Sequence, residues 1–139
     1  MGGNEWTATG PYQEDLGAAF RQAQKDELTR DHHGFPGRDI VELWEDEAWQ
    51  EYILTGGTCT VLDHHALIDA EAGDQFAMMR PLTEAEIRGW APDGRPTREQ
   101  WEAATRRLLD PVERGIGRCT VLYRDGEPAE IGYWGCTAD

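Results

Sequence analysis

Apolar positions recur along the chain at spacings that predict alternating helical and extended segments. In PYQEDLGAAFRQAQKDELTR, the residues Tyr12, Leu16, Ala19, Phe20 and Ala23 fall at helical intervals. Pro11 suits a first helical turn, and Glu14 with Asp15 favour the positive end of the helix dipole. An amphipathic helix ending near Arg30 is therefore predicted. DHHGFPG breaks it, because Phe35 precedes Pro36 and is pushed away from helical geometry. A second helix is predicted in RDIVELWEDEAWQEYILTGG, opened by the pair Asp39 and Glu42 and stopped by Gly56-Gly57. As one continuous helix it buries Ile40, Leu43, Trp44 and Tyr52 and turns Glu45, Asp46, Glu47 and Glu51 to water.

TCTVLD, residues 58–63, is rich in branched side chains and predicts a β-strand. DHHALIDAEAGDQ reads as a short helix or an irregular link, and QFAMMRPL as a further strand. Thr83 with Glu86 and Thr97 with Gln100 are capping boxes that open the helices TEAEIRGW and TREQWEAATRRLL. PDGRP turns between them and Pro111 ends the second. RCTVLYRDGEPAEIGYWG has two strand-like runs around Asp125-Gly126, a hairpin signal. GTCTVLD and GRCTVLY share CTVL, which is too short for a repeat and fits two core strands in similar surroundings. The order α-α-β-(β)-α-α-β-β predicts one α+β domain over residues 1–139. Its sheet is small and antiparallel, ends in a C-terminal β-hairpin and is packed by helices on one face.

Composition adds a core and a charge. The 139 residues are 39% apolar and include six tryptophans, enough for one hydrophobic core. The 27 acids against 13 bases give −14, and the imbalance is local: residues 39–79 hold ten acids and no base. A nucleic-acid binder needs a basic stripe for phosphate contacts, and none is visible. Anionic membrane surfaces are disfavoured for the same reason, and no apolar run approaches the roughly 18 residues of a membrane span. MGGNEWTATG has neither the basic start nor the apolar stretch of a secretory signal, so a cytoplasmic protein is expected.

Candidate chemistry is sparse. The triplets Asp31-His32-His33 and Asp63-His64-His65 are the only histidine-rich stretches. Adjacent residues on a strand point to opposite faces, so His64 and His65 make a poor pair of ligands for one ion. Asp63, His64 and His65 are accordingly weak metal candidates, and no cofactor is expected. VLDHH resembles one motif of the DHH phosphoesterases, but that superfamily's aspartate-rich first motif is missing and the chain is too short for its two domains. The chain has no serine. A Cys59–His dyad would need a depressed thiol pKa. Neither TGGT (residues 55–58) nor RGIGR carries the lysine of a phosphate loop. Cys59, Cys119 and Cys136 are odd in number and widely spaced. They read as free thiols, with Cys119 opposite Gly132 and Cys136 opposite Gly115 in a simple hairpin register.

PYQEDLGAAF, GTCTVLD, RPTREQW and GRCTVLYRDGEPAEIGYWG together resemble a family of small, acidic, uncharacterised proteins common in actinobacteria. The resemblance implies a bacterial cytosolic protein and carries over no activity and no catalytic residue.

WEDEAWQEY, residues 44–52, is the strongest interaction feature, setting Trp44, Trp49 and Tyr52 among acids. Aromatic anchors in a field of one sign are what a specific interface uses. The leading expectation is an interaction module for a basic protein partner, of the immunity or antitoxin type. Glu45, Asp46, Glu47, Trp49 and Glu51 are its contact residues. One alternative is a small-molecule-binding or enzyme-accessory domain with a pocket lined by tryptophan and tyrosine. A second is a small metal-dependent enzyme using Asp63, His64 and His65.

Overall fold

An unexpected strand opens the chain. The computed structural model describes residues 3–139, and its first element, β1 (Glu5–Pro11), precedes the predicted first helix. Trp6 is buried while Thr7 and Thr9 face water, a period of two that small residues at Ala8 and Gly10 hide from a hydropathy reading. Gly10 is small for a reason: a Cβ there would meet the Tyr133 ring at 3.1 Å and the Ala23 methyl at 3.4 Å. Pro11 ends this edge strand, where a missing N–H costs no ladder bond.

Because Pro11 belongs to β1, helix α1 (Leu16–Arg30) starts later than its apolar spacing suggests. Asp15 caps it by accepting the Ala18 N–H at 3.1 Å. Ala19, Phe20, Ala23 and Gln24 form its buried face.

The predicted second helix is two. Asp39 caps α2 (Ile40–Leu43) through the Val41 N–H, so the pairing expected of Glu42 gives way to a shorter cap. The chain breaks at Trp44–Glu45, and Asp46 caps α3 (Glu47–Thr55) by accepting the Ala48 N–H at 2.8 Å. The Gln50 amide donates to the Trp44 carbonyl at 2.7 Å, satisfying an acceptor that the break leaves open. The break also resets the helical phase, turning Trp49 into the core.

TCTVLD is a tight loop rather than a strand. The Asp63 carboxylate accepts the Thr58 N–H at 2.7 Å, the Thr58 hydroxyl at 2.8 Å and the Cys59 N–H at 3.0 Å. Thr60 accepts the Leu62 N–H at 3.1 Å. These bonds curl the backbone into a short 3-10 turn, Val61–Asp63, with Cys59 at φ 59°. Side chains that bond the local backbone compete with a strand ladder, and here they win.

The remaining strands are β2 (Met78–Pro81), β3 (Ile116–Arg124) and β4 (Glu127–Cys136). Helices α4 (Glu84–Arg88) and α5 (Arg98–Leu109) lie between β2 and β3, each opened by the capping box read from sequence. The sheet order is β1-β4-β3-β2, antiparallel except that β2 runs parallel to β3. The α+β class, the mostly antiparallel sheet and the C-terminal hairpin are therefore present. The hairpin turns at Asp125-Gly126, both with positive φ, as a two-residue turn of matching twist requires. A bulge between Leu122 and Tyr123 shifts the register, setting Cys119 opposite Tyr133 and Thr120 opposite Gly132. The register expected for Cys119 is thus off by one.

Helices cover both faces of the sheet rather than one. Ile131 and Tyr133 of β4 join Phe20 of α1, Met79, Val61 and Cys119 in one cluster. Trp134 and Cys136, on the opposite side, join Leu122 with Trp101, Leu108 and Leu109 of α5. A third cluster of Ile40, Leu43, Trp49, Ile53 and Leu62 ties α2 and α3 together. Among the described residues, no helix is long and apolar enough to cross a membrane.

Candidate functional site

Helices α2 and α3 present the acidic surface. Glu42, Glu45, Glu47 and Glu51 are exposed and form no ion pair among the described residues. Glu47, Glu51 and Leu54 stand at i, i+4 and i+7, one face of α3, and Leu54 is 49% exposed. Asp46 differs from its neighbours. The Ala48 N–H, aided by the Arg38 guanidinium at 3.2 Å, holds its carboxyl below the usual range. Its charge serves the helix terminus. Trp49 is not on this surface at all: it is fully buried, edge-on to Phe35 at 5.2 Å between ring centroids. Of the residues expected from sequence as contacts, Glu45, Glu47 and Glu51 are exposed and Trp49 is buried, while Leu54 lies exposed beside them.

Asp63, His64 and His65 diverge. Asp63 is buried beneath its own loop, and burial raises its carboxyl pKa against the pull of the Thr58 and Cys59 donors. The His64 ring is fully buried beside Trp6, with centroids 5.6 Å apart, and neither ring nitrogen has a hydrogen-bond partner among the described residues. Burial pushes its pKa down to about 3, with the Gly115 backbone pulling the other way. His65 instead stacks on Trp44, centroids 5.3 Å apart and planes 26° apart. Three neighbours thus serve three environments. No cluster of three or more His, Cys, Asp or Glu with a metal-binding arrangement occurs among the described residues.

The upstream triplet is likewise dispersed. The His33 Nδ1 lies 3.2 Å from the Tyr52 hydroxyl, and His32 Nδ1 accepts the Gly34 N–H at 3.0 Å. All three cysteines are free thiols. Burial raises each thiol pKa, Cys119 up to about 12, with Asp63 and Asp139 adding to the effect at Cys59. A nucleophilic cysteine needs the opposite shift.

Like Asp63, Arg80 is a buried ionisable group, and it bonds both Glu86 oxygens at 2.8 and 3.0 Å and Asp74 at 2.9 Å. Asp74 also pairs with Arg118, joining β2 and β3 to the loop before them. This network is a strut. Glu86 simultaneously closes the α4 capping box, and its carboxyl is held at about 2.

A net charge of −14 conceals a basic cleft. Arg21, Lys25, His32 and Arg38 line a common cleft between α1 and the segment after it. The four-residue spacing of Arg21 and Lys25 on a helix is its sequence signal. Comparison with protein-family models, with curated proteins and with solved structures found no match for this chain.

Proposed function

We propose that the chain is a protein-interaction module whose acidic α2–α3 surface captures a basic partner, in the manner of an immunity or antitoxin-like inhibitor. The observation that carries this reading is Leu54, an exposed apolar side chain on the same helical face as the unpaired Glu47 and Glu51. Carboxylates held in pairs with arginine are already neutralised, whereas these have their charge free to steer a cationic surface. Leu54 offers the apolar contact that charge alone lacks, since interfaces draw affinity from desolvated centres and specificity from charged rims. The buried Trp49 and the neighbouring core hold α3 rigid, so little ordering cost falls on binding.

The test replaces Glu45, Glu47 and Glu51 by lysine while leaving Asp46 in place. A partner captured at low salt by the parent protein should be released by high salt and not captured by the variant. Leu54→Ser should weaken capture without changing its salt dependence. A partner held equally by the parent, the triple variant and Leu54→Ser would reject this surface.

A further inference from the structure

Helix α1 and residues 32–41 enclose a cleft of about 760 Å³, within the range of small-molecule sites. Ala18, Arg21, Lys25 and Leu28 form its helical wall, and His32, Arg38 and Val41 stand across from them. Its charged lining is three bases, Arg21, Lys25 and Arg38, against Asp39. That is a local excess of cations in a chain of net charge −14.

The donors differ in how far they are engaged. Arg21 is fixed, with Nη1 donating to the Gln24 side chain and to the His65 carbonyl, each at 2.8 Å. Arg38 pairs with Asp46 at 3.2 Å. Lys25 is exposed and forms no ion pair among the described residues. His32 accepts the Gly34 N–H at Nδ1, so its neutral ring carries the proton on Nε2 and has a donor to give. Between these polar groups lie apolar side chains, and Val41 is 46% exposed.

We propose that this cleft binds a small organic anion, a carboxylate or phosphate monoester bearing an aromatic or short aliphatic group. Lys25 and the His32 Nε2–H hold the anionic head, and Leu28 and Val41 receive the apolar part. Long polyanions are disfavoured by the exposed, unpaired Glu42, Glu45, Glu47 and Glu51 of the adjoining segment, which repel an anion extending past the cleft. A small anion escapes that repulsion, because the field fades over about 8 Å at physiological ionic strength. This site is separate from the acidic α3 face and stands or falls without it.

The experiment is a titration of the isotopically labelled full chain, followed by amide NMR, with phenyl phosphate and with hexanoate. Benzyl alcohol serves as the apolar neutral probe and inorganic phosphate as the bare anion. Saturable shifts confined to Arg21, Lys25, His32 and residues 37–41 are expected for at least one organic anion. The neutral probe and inorganic phosphate should each bind at least tenfold more weakly. Lys25→Ala and His32→Ala, both at exposed positions, should each weaken binding about tenfold while leaving the rest of the spectrum in place. Shifts located elsewhere, equal binding of inorganic phosphate, or an unchanged affinity in Lys25→Ala would overturn the proposal. So would concentration-dependent shifts in the free protein showing that a second copy fills the cleft.

Discussion

The His64 ring occupies the space that a side chain at Gly117 would need: Cε1 and Nε2 each lie 2.9 Å from the position of a Cβ there. The same Nε2 lies 3.0 Å from a Cβ placed on Gly135, the residue paired with Gly117 across the hairpin. Two glycines in register thus open a slot in the sheet, and the loop after Val61 fills it with a histidine. The neutral ring is tolerated there, but a cation has no charged partner, and the Gly115 backbone alone does not offset its lost hydration.

The first prediction follows from that slot. His64 is neutral in the folded protein down to about pH 3, whereas the unfolded chain takes up the proton near 6.5. Between those values the unfolded state binds more protons, so stability falls as pH falls, by about 1.4 kcal/mol per unit at most. Half-buried His65, whose pKa is also lowered, acts in the same direction, while the raised Asp63 carboxyl acts against it toward the acid end. Chemical denaturation at steps between pH 4.5 and 7.5 should therefore show a shallower slope for His64→Leu than for the parent. Identical slopes would mean that His64 is solvated.

Asp46 and its acidic neighbours should separate cleanly. Asp46→Ala removes the α3 cap and the Arg38 pair, and is expected to lower stability measurably, as other N-cap losses do. Glu45→Ala and Glu51→Ala, both exposed, should shift stability by less than about 0.5 kcal/mol. Urea midpoints of the single variants decide this, and an inert Asp46→Ala would place the α3 terminus elsewhere.

The thiols give a third outcome. Cys59 is exposed and Cys119 and Cys136 are buried. Native protein should react with a thiol reagent at one site, Cys59, and slowly, because its pKa is raised. Denatured, unreduced protein should titrate three thiols. A single thiol after denaturation would reveal a disulfide.

Legibility in the sequence followed locality. The capping boxes at Thr83 and Thr97 and the turn at Asp125-Gly126 are set by residues within four positions of one another, and each was readable. Strand β1 was not, because its identity rests on Gly10 fitting against Tyr133, far along the chain. TCTVLD misleads because Asp63, which reads in sequence as a weak metal candidate, is an acceptor for the backbone before it and curls the segment. The acidic face was legible from composition alone. The basic cleft needs α1 and residues 32–41 brought together in space, so net charge concealed it.

The two tryptophans of WEDEAWQEY carry the last prediction. A continuous helix from Asp39 to Thr55 places Trp44 inside and lets Trp49 face out. The break capped by Asp46 reverses their weights: Trp49 is fully buried against Leu43, Ile53 and Phe35, while Trp44 remains partly exposed and stacks on His65. Truncating a buried aromatic removes its transfer energy and leaves a cavity, so Trp49→Ala should cost about 3–5 kcal/mol. Trp44→Ala loses a partly solvated contact and should cost clearly less, since the water that replaces the ring already reaches its edge. Both indole N–H groups lack a partner among the described residues, so hydrogen bonding does not separate the variants. Denaturant unfolding of the two proteins under one condition measures the difference directly. A larger loss for Trp44→Ala would restore the continuous helix and return Trp49 to the acidic surface.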